Sequence, residues 1–109
     1  MSYPDKITIG VKKPNEDIVY IEIEDKLENY RQIINGNIEG VRLLDKIRVY
    51  CDEDGKFKNL EPNFWIYGGQ DLIVGTAIFV KQGVYRNNTL SKNDKLHIEK
   101  FLKFNKLYN

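Results

Sequence analysis

The chain has 109 residues, of which 41% are hydrophobic and 30% are charged, and its formal net charge is +1. This length allows one domain, residues 1–109, and the composition is that of a globular protein and excludes a disordered chain. The nearly neutral charge excludes a global field that would draw the protein to nucleic acid or to an anionic membrane.

Cysteine content and the first residues indicate where the protein works. Cys51 is the single cysteine, so an intrachain disulfide is excluded, whereas small secreted domains usually carry several cysteines. The segment MSYPDKITIG lacks the basic start and the apolar stretch of a signal peptide. No apolar run approaches the ~18 residues that a membrane helix needs. We therefore expect a soluble, cytoplasmic protein.

The first third of the chain predicts a β-hairpin followed by a helix. Residues 6–12 and 18–24 alternate apolar and polar side chains, as strands do, and a turn segment separates them. Asp25 is the predicted N-cap of a helix that ends near Asn35, with Glu28 as the second member of a capping box.

A second hairpin and an irregular segment follow. Residues 38–44 and 47–51 have strand character and are joined by a tight turn. The acidic sequence from Asp52 to Gly55 predicts a solvated turn, because it lacks the alternating ligands and the closing Glu of a calcium-binding loop. Residues 59–70 contain a proline and a glycine pair, and they predict an irregular loop.

The C-terminal third predicts one buried strand and one helix. Residues 71–81 form the most apolar stretch and predict a single central strand that is buried on both faces. Residues 83–89 predict a loop, and a helix capped by Ser91 or Asn93 is expected to end near Leu107. The helix has a predicted apolar face and an opposite basic face: Leu90, His97, Ile98, Phe101, Phe104 and Tyr108 on the first, and Lys92, Lys95, Lys103 and Lys106 on the second.

These elements follow the order β-β-α-β-β-loop-β-α. Hairpins combined with helices are typical of the α+β class. We expect an antiparallel-rich sheet of about five strands with two helices packed on one face.

The sequence lacks the parts of a recognisable catalytic or metal centre. The single histidine, His97, falls on the predicted apolar helix face, and Cys51 has no histidine near it in sequence. We interpret both as structural, although a Cys–His pair formed in space stays open. Motifs for phosphate loops, nucleotide folds, nucleophile elbows and metal clusters are missing. We therefore expect a protein that is not an enzyme and that uses no metal and no cofactor.

An aromatic cluster at residues 63–67 is the best candidate for a ligand-binding site. Aromatic side chains this dense either pack on the core or line a pocket, and both alternatives stay open. Basic side chains elsewhere could flank such a pocket and suit an anionic or nucleotide ligand, or they are exposed surface charges. The candidate ligand-binding residues are Asn63, Trp65, Tyr67, Arg42, Arg48, Arg86, Tyr85 and Thr76.

Three segments carry a resemblance to a known family: GNIEGVRLLDKIRVYCDEDGKFKNLEPNFW, DLIVGTAIFV and TLSKNDKLHIEKFL. The shared pattern is an Ile-Glu strand, an acidic-acidic-Gly-Lys turn, a Leu-x-Pro-Asn loop, the strand IVGTAIFV and a Leu-Ser start of the last helix. Over roughly residues 15–105 the chain resembles small proteins of bacteriophages and Firmicutes mobile elements grouped as a domain of unknown function (number three-eight-four-six). It departs from them in its lysine-rich C-terminus and in Trp65. The resemblance implies an α+β fold and a phage context, and it brings no enzyme activity.

The leading functional expectation is a phage-type binding protein that counters host antiviral defence by sequestering a small nucleotide immune signal in the host cytoplasm. This expectation is an analogy with other small phage α+β proteins. The alternatives are a protein–protein inhibitor of a host defence or regulatory protein, acting through a sheet edge or the last helix, and a nucleic-acid-associated accessory protein. We also expect a homo-oligomer, because one small domain offers little concavity for a pocket.

Overall fold

A computed structural model of the protein describes residues 5–107, in which one central antiparallel sheet separates two hydrophobic cores. The elements in chain order are β1 (Ile7–Lys12), β2 (Val19–Ile23), α1 (Leu27–Ile34), β3 (Ile38–Leu44), β4 (Ile47–Asp52), β5 (Pro62–Ile66), β6 (Asp71–Val74), β7 (Ala77–Gln82), β8 (Asn87–Asn88) and α2 (Lys92–Phe104).

Antiparallel pairing organises all of the strands. The central sheet has the order β2-β1-β7-β4-β3, and the two-residue β8 also pairs with β7. Strands β5 and β6 form a second, two-stranded sheet. The α+β class and the two helices are thus confirmed, with more and shorter strands than the sequence predicts. Within residues 5–107, neither helix is long and apolar enough to cross a membrane.

Strand β7 lies at the centre because it is apolar on both faces. Ala77, Ile78, Phe79 and Val80 are all fully buried. Ile78 and Val80 pack in the core under α1, whereas Ala77 and Phe79 pack in the core under α2. Burying a side chain the size of Phe79 contributes roughly 1.5–3 kcal/mol to stability.

The two helices cover opposite faces of the sheet. Tyr30 and Ile34 of α1 join the core that contains Ile78, while Ile98 of α2 joins the core that contains Phe79. The expectation of both helices on one face is therefore wrong. A strand that is apolar on both faces must be covered on both faces. Each face of the sheet is therefore covered by one helix.

The apolar run at residues 71–81 is two strands, and the prediction of one strand is wrong. Gly75 has φ 73°, a left-handed conformation that L side chains rarely adopt, and the chain bends there between β6 and β7. The position of a Cβ on Gly75 would lie 2.7 Å from Leu60 Cδ1, so the bend also brings the backbone close to its neighbour.

The predicted irregular loop at residues 59–70 contains the other strand of this small sheet. Phe64 and Ile66 are buried on the α2 core and Trp65 between them is exposed, which is strand alternation. Gly68 and Gly69, both with positive φ, form the turn that returns the chain to β6. The glycine pair therefore closes a hairpin.

Of the two predicted helix N-caps, the one at α2 is confirmed and the one at α1 is wrong. Asp25 does not cap α1, because the helix has Lys26 at its N-cap without a side-chain bond, and the Asp25 carboxylate accepts hydrogen bonds from Tyr30 and Asn87 instead. Ser91 caps α2 in a full capping box, in which Asp94 N donates to Ser91 Oγ and Ser91 N donates to Asp94 Oδ2.

The predicted apolar face of α2 is rotated from the observed one. Asp94, Ile98 and the half-buried Leu102 face the protein, whereas His97 and Phe104 are exposed. Ile98 and Phe101 of the predicted face do pack on the α2 core, as does Leu90, which precedes the helix. Tyr108 lies outside the described residues.

Candidate ligand-binding cleft

A cleft of about 650 Å³ opens between the β1–β2 turn, the start of β5 and the C-terminal half of α2. Its apolar walls include Ile18, Phe64 and Leu102. Charged side chains from two of the three segments line its remaining surface: Lys12, Glu16, Asp17, Glu99, Lys103 and Lys106. The cleft therefore combines an apolar wall with both ammonium and carboxylate groups.

Asn63, at the start of β5, is bonded through its side chain to the end of β1 and to the bend at Gly75. Its buried amide nitrogen donates to the carbonyl oxygens of Lys12 and Gly75, each at 2.8 Å, and its Oδ1 accepts from Lys12 Nζ at 3.0 Å. An unsatisfied buried amide would cost about 1–3 kcal/mol, so these bonds stabilise one position of β1 relative to β5 and to the bend at Gly75.

Lys12 presents an ammonium group without a carboxylate partner. Its Nζ donates to Asn63 Oδ1 and, at 2.8 Å, to the carbonyl oxygen of Lys13. In the described part of the chain, no carboxylate oxygen lies within 4.0 Å of it. Burial lowers the pKa of Lys12, and the more distant charges of Asp17 and Glu16, which raise it, do not compensate. The amine is thus partly dehydrated and not neutralised.

The opposite wall contains a carboxylate that is already oriented. Glu99 Oε2 accepts a hydrogen bond from Tyr20 OH at 3.2 Å. Burial, followed by the Glu99 charge and this bond, raises the pKa of Tyr20 well above its usual value, so the phenol keeps its proton and can donate it. The cleft consequently offers hydrogen-bond donors at Lys12 and an acceptor at Glu99.

The sequence-predicted aromatic cluster divides between core and surface. Phe64 is 1% exposed, whereas Trp65 is 36% exposed and Tyr67 52% exposed on the outer side of the β5–β6 hairpin. Asn63 is the one predicted ligand-binding residue that lines the cleft. Thr76 lies in the half-buried link between β6 and β7.

The predicted basic residues lie on the other face of the central sheet. Arg42 and Arg48 are opposite each other on β3 and β4, and they alternate with residues of the α2 core, so they face the α1 side. Arg86 approaches Asp25, with 3.9 Å between Nε and Oδ2, and Tyr85 is 89% exposed. The structure does not bring these residues together with Trp65 and Tyr67, so the single pocket expected from the sequence is not formed.

Sequence reasoning missed most of the cleft. Lys103 and Lys106 were noted as part of a basic helix face, but Lys12, Glu16 and Glu99 carry no local motif. Their proximity depends on the packing of α2 against the β1–β2 hairpin, which no spacing in the sequence shows.

The two residues of the Cys–His pair that the sequence leaves open lie in different environments. His97 is exposed on α2, and Cys51 is buried, with its Sγ 3.8 Å from the carbonyl oxygen of Glu39. Burial, with nearby acidic groups, raises the pKa of the Cys51 thiol to about 11, which disfavours the reactive thiolate. Among residues 5–107, no group of three or more His, Cys, Asp or Glu side chains could hold a metal ion.

The chain belongs to the family described as Domain of unknown function (DUF3846), which matches residues 7–104. No curated protein and no solved structure matches it. The match confirms the resemblance that the sequence segments indicate.

Alternation along β5 predicts opposite results for two neighbouring aromatic residues. Phe64→Ala should lower the free energy of unfolding by about 3–5 kcal/mol, because it leaves a cavity in the α2 core between Phe79 and Phe101. Trp65→Ala should cost clearly less, because its ring is 36% exposed and its removal opens no closed cavity. Urea unfolding measures both, and an equal loss in the two variants would contradict the assignment.

Proposed function

We propose that the protein is a non-catalytic binding protein that captures a small, phosphate-bearing ligand of the nucleotide type in the cleft between the β1–β2 turn and α2. The observation that carries the proposal is the Lys12 ammonium, held by neutral acceptors at the base of a cleft of about 650 Å³. Cavities of this size and with mixed apolar and polar walls are typical of sites for small molecules.

The chemistry of the walls supports a nucleotide more than a simple anion. Lys12, Lys103 and Lys106 can bind phosphate oxygens as point charges. Glu99 and Asp17 can accept hydrogen bonds from the amino groups of a base or from ribose hydroxyls. Ile18 and Leu102, which are both half-buried in the cleft wall, supply an apolar surface for a base. A simple anion would use the lysines and would be repelled by the carboxylates.

The biological part of the proposal is that this capture counters host antiviral defence in the cytoplasm of an infected cell. It rests on an analogy with several small phage α+β proteins that neutralise host defences. The cleft and its charges are compatible with sequestering an immune signal, which requires affinity and no turnover.

The direct test is to identify what the protein carries. We expect mass spectrometry of the material released by denaturing purified protein to detect a nucleotide-type compound, or a panel of nucleotides to raise the melting temperature of the protein. Lys12→Gln should abolish either signal, since it removes the charge but keeps a polar side chain. Arg31→Gln, an equal loss of charge at an exposed position of α1 outside the cleft, serves as the control and should retain it.

Two results would contradict the proposal. One is a protein that releases no phosphate-bearing compound and whose melting temperature no nucleotide raises. The other is a nucleotide that binds equally to wild type and to Lys12→Gln, which would place the ligand elsewhere.

A protein–protein inhibitor is the second candidate, favoured by exposed apolar side chains at the C-terminal end of α2. Phe104 is 74% exposed and Trp65 is 36% exposed, and the backbone N–H of Trp65 donates to the carbonyl oxygen of Asn105, the residue after Phe104. Adjacent exposed apolar side chains of this kind are typical of surfaces that contact other proteins. Loss of inhibition in Phe104→Ser, with nucleotide binding intact, would favour this candidate.

We also propose that the protein forms a homodimer through the free edge of β2. No described residue pairs with this edge, and its Val19 and Ile21 are exposed. Antiparallel pairing of two copies about Ile21 would place Val19 opposite Ile23 and Tyr20 opposite Glu22, without any like charges in contact. The other edge, β3, has a register shift between Arg42 and Leu44, and such a bulge discourages pairing.

The dimer makes a prediction for the mass in solution. Light scattering after size exclusion should give twice the chain mass for wild type and the chain mass for Ile21→Lys, because two lysines would face each other at the dyad. Glu39→Lys, on the opposite edge, should remain dimeric. A monomeric wild type would refute pairing at β2.

A further inference from the structure

Two arginines stand side by side on the face of the sheet that α1 partly covers. Arg42 of β3 is directly opposite Arg48 of β4, and the strand alternation directs both away from the α2 core. Residues opposite each other in an antiparallel pair have Cβ atoms only about 4.5–5.5 Å apart, and like charges in this position destabilise the sheet. The pair therefore needs an electrostatic explanation.

Neighbouring carboxylates do not neutralise this pair. In residues 5–107, no carboxylate oxygen lies within 4.0 Å of either guanidinium. Asp25, on the same face, accepts from Tyr30 OH at 2.7 Å and from both the backbone and the side-chain amide of Asn87, and Arg86 approaches it as well.

The other acidic group on this face is also occupied. Asp52 binds Lys58 Nζ at 2.7 Å and accepts from Asp54 N at 2.8 Å. Exposed Asp45, in the β3–β4 turn, makes no ion pair in the described part of the chain. The two arginines thus keep their full positive charge.

Arg48 is in addition incompletely bonded. Its Nε is buried and has no hydrogen-bond partner, although the residue as a whole is only half-buried. Because a guanidinium does not lose its proton in proteins, Arg48 cannot relieve this cost by becoming neutral. A buried donor without an acceptor is unfavourable, so the desolvated side of the Arg48 guanidinium gains nothing from the protein. An anion that binds the Nη groups, which are neither buried nor bonded in the described part of the chain, would offset this charge and screen Arg42.

We propose that Arg42 and Arg48 form an anion site that binds a phosphate group bridging the two guanidiniums. The planar forks of two arginines match the oxygens of a phosphate, which accepts paired hydrogen bonds from each. The phosphate can belong to a small pyrophosphate-type molecule or to a polynucleotide backbone. This site is independent of the cleft, which lies on the other face of the sheet.

The test compares the melting temperature of the full chain in sodium pyrophosphate and in sodium chloride of equal ionic strength. Pyrophosphate should raise the melting temperature of wild type. It should also raise that of two controls: Arg31→Gln, which removes an exposed arginine of α1, and Lys12→Gln, which removes the cleft ammonium. Arg42→Gln and Arg48→Gln should lose most of the rise. Without pyrophosphate, Arg42→Gln should melt at or above wild type, because removing a repelling charge stabilises the sheet.

A second arm measures fluorescence anisotropy of a single-stranded DNA oligonucleotide without terminal phosphates. Binding that depends on Arg42 and Arg48, in the absence of a pyrophosphate effect, supports the site and identifies a polynucleotide as the source of the phosphate. The proposal is overturned if neither probe binds wild type, or if both arginine variants respond as wild type does.

Discussion

The buried amide of Asn63 connects the three parts of the chain on which the α2 side of the molecule depends. It donates to the carbonyl oxygens of Lys12 at the end of β1 and of Gly75 at the bend between β6 and β7. Since β7 must lie at the centre of the sheet, the chain has to leave the β5–β6 hairpin and enter the sheet within two residues. The positive φ of Gly75 allows that bend, and Asn63 fixes it against β1.

This arrangement links the fold to the proposed function. By accepting from Lys12 Nζ, Asn63 satisfies the ammonium with a neutral group and leaves its charge for a ligand. The β1–β2 turn and the end of α2 then form the walls of the cleft around it. On the other face, α1 is only eight residues long, so it covers part of the sheet and leaves Arg42 exposed. The Lys12 ammonium and the Arg42–Arg48 pair therefore lack a neutralising partner for the same reason. A chain of this size covers only part of each face of its sheet.

Local pattern predicts the local structure of this chain and fails where distant segments meet. The strand character of residues 38–44 predicted β3 with its observed bounds, and Ser91 predicted the start of α2, because the signals lie within a few residues. The break at Gly75 was missed because an apolar run does not reveal a change of sheet. Asp25 looks like a helix cap in sequence, yet its carboxylate is engaged by Asn87, 62 residues away. The cleft could not be predicted, since its parts come from three distant segments.

The central claim is that the Lys12 ammonium is partly buried and has no carboxylate partner. The measurement that tests it most directly is the pKa of this ammonium, determined by an NMR titration of its ε-methylene group. The account predicts a value below that of an exposed lysine, because burial disfavours the charge and no adjacent carboxylate restores it. Asn63→Asp should raise it by placing a carboxylate in contact with Nζ. A pKa at or above the usual lysine value in wild type would contradict the account, because it would show that an acidic group already neutralises Lys12.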